Sequence, residues 1–500
     1  MLYTSTRDNS LKVTSAEAVT SGISKEGGLF VPCEVPEADL DFINSMVNDS
    51  YKQRAQKILS LYLTDFTPDE VSSFVEGAYA DGKFSSEDIA PVVNLHDNVN
   101  ILELWKGPTC AFKDMALQLL PHLLTGAAKK TLDNKEIVIL VATSGDTGKA
   151  ALEGFCDVEK TKILVFYPNN GVSPMQKLQM CTQSGDNVGV CAINGNFDDA
   201  QTGVKTIFTD RKIKEKFEEH SLVFSSANSI NWGRLVPQIV YYFSAYCDLI
   251  KQGRIRLGDK INIVVPTGNF GNILAANYAK NMGLPVARLI CASNKNNILT
   301  DFITTGVYDK NRDFYTTISP SMDILISSNL ERLLFFLYNN DDKAVRDIFA
   351  SLKETGKYKV TDEVLNKIKS VYSCGCCDDV QTEETIRDTY NKYNYLSDTH
   401  TAVAIKVCED YIASTGDKTP VVIASTASPY KFSHSVLEAL KNGNIESDNE
   451  FDMVHELEEY TGIKAPEQLS GLKNKKVRFD SVCEKDPDSM RKVVFDMLGI

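Results

Sequence analysis

The feature that most constrains the fold is an alternation of short apolar, β-branched runs with helical pattern after Asn100. Four such runs are predicted as buried strands: Ile137–Val141, Lys162–Tyr167, Ile261–Val265 and Pro420–Ala424. Each run leads through small or polar residues into helical pattern, which predicts βα units around mainly parallel sheets. Ligands bind beyond the carboxyl ends of the strands in such sheets, so the residues after the runs are the first candidates for a site.

Differences in residue pattern divide the rest of the chain into regions around this α/β core. The interval 1–95 mixes strand-like and amphipathic helical pieces, and the core is expected over 96–293 and 398–445. Between its two parts, 294–397 is helical and charged, which predicts a helical insertion, and 446–500 is a polar C-terminal extension. The predicted class is therefore α/β, with an N-terminal region and a helical layer added to it.

Charge and composition disfavour several classes of function. The 53 Lys and Arg residues against 67 Asp and Glu give a formal charge of −14, which disfavours a broad nucleic-acid surface. No apolar run approaches the ~18–20 residues of a membrane-spanning helix, and the start of the chain lacks the basic head and apolar stretch of a secretory signal. Twelve cysteines in 500 residues are too few for a disulfide framework, so reduced thiols and a cytoplasmic location are expected.

The first chemical motif is Gly107-Pro-Thr-Cys-Ala-Phe-Lys113-Asp114, which joins a short apolar piece to helical pattern over Met115–Leu123. Lys113 stands at this junction beside Phe112. A largely apolar pocket disfavours the ammonium form, lowers the pKa of the lysine and frees its amine to attack a carbonyl. The other interpretation is a solvated lysine at a helix start.

Two turns after predicted strands are candidate anion sites. The turn Thr143–Gly148 offers unpaired N–H groups and hydroxyls to a carboxylate or phosphate, although Thr143 and Ala150 break the P-loop pattern. The turn Pro266–Asn272 has glycines that let the backbone approach one monophosphate at a helix N-terminus, and its glycine spacing excludes the dinucleotide fingerprint. The alternative for either turn is an ordinary βα connection.

Two further segments carry polar groups near strand ends. The segment Ser225–Arg234 concentrates amides, hydroxyls and one arginine, which suit a second anion site or a polar loop with a salt-bridged arginine. The segment Ser425–Phe432 places hydroxyls after a strand, where one could face a ligand's ring nitrogen. A lysine nucleophile, a monophosphate turn and a turn sized for an amino-acid anion together suit pyridoxal 5′-phosphate (PLP), whose aldehyde requires a lysine and whose phosphate requires a glycine loop.

On these motifs the chain resembles the threonine synthase family, in its microbial type with an extended N-terminal region. The matching segments are, in order, Tyr3–Arg7, Gly27–Pro32, Gly107–Asp114, Ala142–Gly148, Ser225–Arg234, Pro266–Asn272, Ser327–Arg332, Asp398–Ala402 and Thr426-Ala427. The resemblance implies the PLP-dependent tryptophan-synthase-like fold (fold type II), with two α/β domains and the cofactor between them. It also implies a lyase that converts O-phospho-L-homoserine and water to L-threonine and phosphate, the last step of threonine biosynthesis, by β,γ-elimination and replacement.

The resemblance implies roles for individual residues as well. Lys113 would bond to the cofactor aldehyde and serve as the catalytic base, Thr426 would hydrogen-bond the pyridine nitrogen, and Asp146 would border the ring hydroxyl. The residues that would hold the cofactor phosphate are Gly268, Asn269, Phe270, Gly271 and Asn272. The residues that would hold the substrate are Ser144 and Thr147 at its carboxylate and Asn228, Ser229 and Arg234 at its phosphate.

Some features depart from the family pattern or allow other interpretations. Ser428 stands where many relatives carry His, and Asp146 stands where related folds often place Asn. His400 either lines the site or is a hydrogen-bonded core histidine. The Cys374–Cys377 segment lacks a second Cys or His pair at zinc spacing, so no metal is expected.

Competing functions are an O-phosphohomoserine phospho-lyase, a serine or threonine dehydratase of the same fold, and a catalytically silent nucleotide-binding or regulatory module. The Asn228–Arg234 segment favours a phosphorylated substrate, while an intact Lys113 and the broken P-loop pattern disfavour the silent module. The chain is expected to act on its small-molecule substrate as a monomer or homodimer, without nucleic-acid or membrane partners.

Overall fold

The apolar runs form strands that assemble into two large sheets and two small ones. The structure is a computed structural model that describes residues 1–133 and 135–500. The strands are β1 (Tyr3–Ser5), β2 (Asp8–Val13), β3 (Phe30–Pro32), β4 (Val92–His96), β5 (Val99–Glu103), β6 (Glu136–Ala142), β7 (Thr161–Pro168), β8 (Val188–Asn194), β9 (Leu222–Ser225), β10 (Ile261–Pro266), β11 (Val286–Ser293), β12 (Val307–Asp309), β13 (Lys357–Lys359), β14 (Tyr372–Cys376), β15 (Val421–Ser425) and β16 (Val482–Glu484).

Helices cover the sheets and fill the connections between strands. They are α1 (Ser15–Ser21), α2 (Leu40–Asn44), α3 (Tyr51–Tyr62), α4 (Pro68–Ala78), α5 (Asp114–Leu117), α6 (Leu120–Thr131), α7 (Asp146–Phe155), α8 (Pro174–Cys181), α9 (Phe197–Thr209), α10 (Arg211–Glu219), α11 (Trp232–Lys251), α12 (Gly271–Met282), α13 (Ile298–Thr305), α14 (Leu330–Leu337), α15 (Asp342–Thr355), α16 (Asp362–Val371), α17 (Asp379–Tyr393), α18 (Thr399–Thr415), α19 (Ser433–Lys441), α20 (Glu450–Thr461), α21 (Glu467–Ser470) and α22 (Pro487–Leu498). Short 3₁₀ segments lie at Pro320–Met322, Pro429–Phe432 and Gly471–Asn474.

The two large sheets are mainly parallel, as the alternating pattern predicts. One has six strands in the order β14-β11-β10-β15-β5-β4, parallel throughout except that β4 runs antiparallel to β5. The other has five parallel strands in the order β16-β8-β7-β6-β9. The four predicted strands are confirmed as β6, β7, β10 and β15, and the α/β class is confirmed with them.

The N-terminal region packs on the same core as the sheets. Helix α11 is buried along most of its length, and the large hydrophobic cluster that includes it reaches from Tyr3 through both sheets. The Tyr3 ring lies 5.5 Å from the Trp232 ring, and the Tyr3 hydroxyl donates to the Tyr62 carbonyl at 2.9 Å. Aromatic burial of this size holds the N-terminal helices against the helix that carries Arg234.

Two sequence expectations differ from the structure. The pattern over Met115–Leu123 predicts one helix, whereas the chain forms α5 and α6, because Pro121 cannot donate to the preceding turn and its ring would clash there. The segment 294–397 is not purely helical, since it also carries β14, which pairs with β11 at the edge of the six-stranded sheet. Among the described residues, no helix has the length and apolar character needed to cross a bilayer.

Candidate active site

Three of the predicted site segments meet because their strands are parallel neighbours. Strands β10, β15 and β5 lie side by side, so their carboxyl ends share one edge of the six-stranded sheet. These ends lead to Gly268–Asn272, to Thr426 and to Lys113. The Phe112 N–H donates to the Thr426 carbonyl at 2.8 Å, which ties the Lys113 turn directly to the end of β15.

Lys113 lies immediately before α5, with its side chain largely buried and its amine next to charged groups. Its side chain is 11% exposed, and Nζ lies 4.9 Å from the centre of the Phe112 ring and 3.6 Å from Asp146 Oδ2. Burial lowers the pKa of Lys113, and the positive charges of Lys431 and Arg234 lower it further, while Asp146 opposes them. The amine therefore lies largely out of contact with water beside the Phe112 ring, while the charges of Asp146, Lys431 and Arg234 act on it.

Asp146 comes from the other large sheet, at the start of α7 after β6. Gly145 precedes it with φ +138°, and any Cβ there would meet the Gln176 side chain at 2.4 Å. Gln176 Nε2 donates to Asp146 Oδ1 at 3.0 Å, and Lys431 Nζ lies 2.8 Å from the same oxygen. Burial alone would raise the pKa of Asp146, but Lys431 and Lys113 hold it below its ordinary value, so the carboxylate is ionised.

The substrate-carboxylate residues predicted at this turn lie on its outer side. Ser144 is exposed and Thr147 is half-buried at the N-terminus of α7. Thr143 shapes the turn, because its hydroxyl accepts from the N–H groups of Gly145 and Gly148 at 3.0 and 2.9 Å. The turn therefore presents a solvent-accessible helix N-terminus next to Asp146, an arrangement that can bind an anion.

The turn at the end of β10 is built for close backbone packing. Phe270 has φ 62°, in the left-handed region, and α12 begins at the next residue. A Cβ on Gly268 would lie 2.6 Å from the Ser321 carbonyl oxygen, so only glycine allows the 319–327 loop to approach. The loop is fastened there, since Ser327 Oγ donates to the Gly268 carbonyl at 2.7 Å.

Two buried amides at this turn have unused donors. Asn272 Oδ1 accepts from the hydroxyls of Tyr241 and Tyr242, and Asn329 Oδ1 accepts from Arg332 Nη1. The Nδ2 atom of each asparagine is buried and has no hydrogen-bond partner among residues 1–133 and 135–500. Unpaired buried donors are costly, so two of them beside a helix N-terminus indicate a site that takes an anion.

A further unpaired donor lies at Arg234, in the first turn of α11. Arg234 is 4% exposed; its Nη1 donates to the Ala227 carbonyl at 2.6 Å, and its Nε is buried without a partner in the described part of the chain. Burial lowers the pKa of Arg234 to about 10, which leaves it charged. Asn228 and Ser229 lie half-buried just before it. An unmatched buried guanidinium of this kind suits a phosphate.

Thr426 and His400 occupy different parts of the arrangement. Thr426 is 6% exposed at the end of β15, beside the Lys113 turn. His400 Nε2 accepts from the Ser321 N–H at 3.1 Å, and Nδ1 lies 2.9 Å from Asp398 Oδ1. Both ring nitrogens are thus bonded within the chain, which favours the core-histidine interpretation; the ring braces the loop over the Gly268 turn.

Sequence reasoning missed several residues that shape the site. Lys431 and Gln176 hold Asp146, Asn329 supplies an unpaired donor, and Tyr241 and Tyr242 fix Asn272. Lys431 belongs to the Ser425–Phe432 motif, of which only the hydroxyls were predicted to face a ligand. Ser428, where many relatives carry His, is fully buried and its Oγ accepts from the Tyr430 N–H at 3.4 Å, so here it caps the short 3₁₀ segment.

The cysteines of the Cys374–Cys377 segment lie on and just after β14. Cys374 is half-buried with Sγ 3.5 Å from Thr304 Oγ1, and Cys377 is buried with Sγ 3.3 Å from Thr382 Oγ1. Within the described residues, no group of three or more His, Cys, Asp and Glu side chains is placed to hold a metal ion. These thiols therefore pack locally against threonine hydroxyls.

Comparisons with known proteins identify the family of the chain. Family models described as "Threonine synthase N terminus" and "Threonine synthase, C-terminal" match residues 2–79 and 401–494. The chain is 42% identical to human threonine synthase-like 1 over 437 residues, which cover 85% of this chain and 58% of the human protein. It is 39% identical to the threonine synthase of Pseudomonas aeruginosa, over 88% of this chain and 90% of that protein.

Solved structures share the fold over nearly the whole chain. A crystal structure of PLP-bound threonine synthase from Brucella melitensis superposes with a TM-score of 0.88 at 35% identity, and covers 99% of both chains. Yeast threonine synthase superposes with a TM-score of 0.89 at 33% identity, covering 100% of this chain and 99% of the yeast chain. The predicted fold is confirmed, and the chain belongs to the threonine synthase family.

Proposed function

We propose that the protein converts O-phospho-L-homoserine and water to L-threonine and phosphate with PLP as cofactor. The observation that carries this proposal is a largely buried lysine accompanied by unpaired buried donors at two separate places. A PLP enzyme with a phosphorylated substrate needs one amine and two phosphate sites. Lys113, the Asn272 and Asn329 amides, and the Arg234 guanidinium supply these three elements.

The residues present suit the cofactor. Gly268–Asn272 would hold its phosphate through backbone N–H groups, with the unpaired Nδ2 atoms of Asn272 and Asn329 as further donors. Lys113 would bond to its aldehyde, Thr426 would contact its ring nitrogen, and Asp146 would border its ring hydroxyl. When bound, the cofactor supplies a ring system that takes up the negative charge left when a proton leaves carbon.

The substrate would lie between the two sheets. Ser144 and Thr147, at the accessible N-terminus of α7, would hold its carboxylate. Arg234, with Asn228 and Ser229, would hold its phosphate, because the guanidinium is buried and lacks a carboxylate partner in the described chain. Two separate anion sites would place the substrate backbone near the Lys113 amine.

Lys113 would move the protons of the reaction. Its burial favours the uncharged amine, so Nζ can take the proton from the substrate α carbon. The departing phosphate would take a second proton, from the β carbon, as it leaves the γ carbon. Lys113 and the departing phosphate would return a proton to the γ carbon and direct water to the β carbon. Reprotonation of the α carbon by Lys113 completes the balance of one water consumed and one phosphate released.

The test is a product assay with PLP-loaded protein and O-phospho-L-homoserine. L-Threonine formed in equal amount with phosphate supports the proposal, and Lys113→Ala should abolish both products. Formation of 2-oxobutyrate and phosphate instead would identify a phospho-lyase. Turnover of serine or threonine with no turnover of the phosphorylated substrate would identify a dehydratase, and either result overturns the proposal.

We also propose that the protein acts in the cytoplasm as a monomer or homodimer. Twelve free cysteines suit a reducing compartment. Fractionation of the source cells tests the location, and light scattering of the purified protein tests the oligomeric state.

A further inference from the structure

Lys431 is a second lysine in the same buried cluster as Lys113, and the proposed reaction does not use it. Its side chain is 0% exposed, and Nζ donates to the Thr109 carbonyl at 3.0 Å. Its ion-pair partner is Asp146, whose Oδ1 lies 2.8 Å from Nζ. A buried ammonium that does no chemistry is expensive unless it has a compensating charge and hydrogen bonds, and Lys431 has both.

Asp146 lies between the two lysines but pairs with them unequally. Oδ1 is bound by Lys431 and by Gln176 Nε2, whereas Oδ2 is 3.6 Å from Lys113 Nζ, beyond hydrogen-bond distance. Without Lys431, Lys113 would be the one close cation left to Asp146 among the described residues. Asp146 would then form the close ion pair with Lys113 and keep that amine protonated.

We propose that Lys431 is a positioning residue, which holds Asp146 by one carboxylate oxygen and supplies its counter-charge so that Lys113 keeps an uncharged, reactive amine. The proposal rests on the proposed function in taking Lys113 as the reactive amine. It adds that Lys431 balances the charge of Asp146, so that an aspartate can lie beside Lys113 without keeping its amine protonated. Loss of Lys431 should therefore raise the pH at which the Lys113 amine loses its proton.

Other charged and titratable groups face this cluster from every side. Arg234 on α11 adds a positive charge that acts on Lys113, in the same direction as Lys431. Asp114 on α5 accepts from the N–H and the hydroxyl of Thr109 at 2.8 and 2.7 Å. The carbonyl of Thr109 in turn accepts from Lys431. The Cys110 thiol is buried nearby, and burial raises its pKa to about 12, so it is neutral. Asp146 is thus the firm negative charge nearest to Lys113.

The experiment measures the protonation of Lys113 in protein free of cofactor and substrate. Brief pulses of formaldehyde and cyanoborohydride are given at a series of pH values, and methylation of the Lys113 peptide is quantified by mass spectrometry. Lys431→Met should raise the pH midpoint of Lys113 labelling by roughly one unit, whereas Asp146→Asn should lower it by a similar amount. Lys431→Gln, which is also neutral but retains a donor, should shift the midpoint upward as well.

The matched control is Lys149→Met. Lys149 is also a buried lysine, it lies on α7 like Asp146, and it pairs with Glu153 at 2.8 Å, but it does not contact Lys113. Its loss should leave the Lys113 midpoint unchanged, which separates charge positioning from the general loss of a buried ion pair.

Each outcome bears on the proposal. An upward shift of the Lys113 midpoint in the Lys431 variants together with a downward shift in Asp146→Asn supports the proposal. If neither Lys431 variant folds, Asp146→Asn is the test, and an unchanged Lys113 midpoint in that variant overturns the proposal. A folded Lys431→Met or Lys431→Gln protein with an unchanged midpoint overturns it as well. Because no cofactor or substrate is present, these results stand even if the product assay shows a different reaction.

Discussion

Two buried arginines allow a sharp test of the proposed substrate-phosphate site, because one is fully bonded within the chain and the other is not. Arg332 is 1% exposed, and its guanidinium donates to the Phe30 and Ile230 carbonyls and to Asn329 Oδ1. Arg234 is 4% exposed, yet within the described chain its side chain makes a single hydrogen bond, to the Ala227 carbonyl. The proposed function therefore takes the first arginine as structural and the second as the one that would bind the substrate phosphate.

The two arginines should therefore respond differently to replacement by methionine. Both replacements remove a buried charge that has no ion-pair partner in the described chain, but Arg332→Met also removes three charged hydrogen bonds and leaves their acceptors buried, a net loss of roughly 4 kcal/mol in the free energy of unfolding. Arg234→Met removes only one such bond with the buried charge, so its net effect on unfolding should stay within about 1 kcal/mol. Its effect on catalysis should be larger: a lost contact of about 1.5–3 kcal/mol lowers kcat/KM for O-phospho-L-homoserine by roughly 10–150-fold.

The assay pairs urea unfolding of both variants with steady-state kinetics of Arg234→Met. The expected pattern is a stable Arg234 variant with impaired kcat/KM, next to a strongly destabilised Arg332 variant. If Arg234→Met is as unstable as Arg332→Met, or if it is stable and fully active, then Arg234 is an ordinary structural arginine and the phosphate assignment is wrong.

Three further perturbations test other parts of the site. Gly268→Ala places a Cβ 2.6 Å from the Ser321 carbonyl and should weaken PLP binding at least tenfold in a fluorescence titration, whereas Gly471→Ala, with no neighbour within 4 Å, should not. Thr426→Asp should raise the ratio of 2-oxobutyrate to threonine, since a carboxylate would stabilise the protonated form of the cofactor ring nitrogen, which a hydroxyl leaves neutral; an unchanged ratio counts against that role. Burial raises the pKa of Asp114 to about 6, above its ordinary 3.8. Between pH 3.8 and about 6 the carboxyl is therefore protonated in the folded state and ionised in the unfolded state. The free energy of unfolding should fall by ~3 kcal/mol as the pH rises through this interval. Asp114→Asn should flatten that part of the pH–stability curve, and an equal slope in both proteins would refute the assignment.

The fold was predictable where local pattern and burial agree. The runs that became β6, β7, β10 and β15 are apolar on both faces because both faces are covered, and this leaves a signal readable from sequence. Strand β14 gave no such signal: Tyr372–Cys376 is short, is only partly buried and pairs with one neighbour at a sheet edge. The helix break before α6 was readable from Pro121, but the surrounding apolar pattern concealed it.

The site was predictable in its turns but not in its pairings. Motifs at strand ends pointed to Lys113, Asp146 and Gly268–Asn272, because parallel strands bring their carboxyl ends to common edges. The pairing of Lys431 with Asp146 joins residues far apart in the chain, and no local spacing encodes it. The orientation of Asn329 likewise depends on Arg332 contacts that only the folded chain provides.

The central claim is that the amine of Lys113 bonds to PLP. It is tested most directly by loading the protein with PLP, reducing with borohydride and mapping the modified peptide by mass spectrometry. We expect a single pyridoxyl group on Lys113 and none on the Lys113→Ala protein. A pyridoxyl group on Lys431, whose Nζ lies 2.8 Å from Asp146 Oδ1, or no stable modification at all, would show that Lys113 does not bond to PLP.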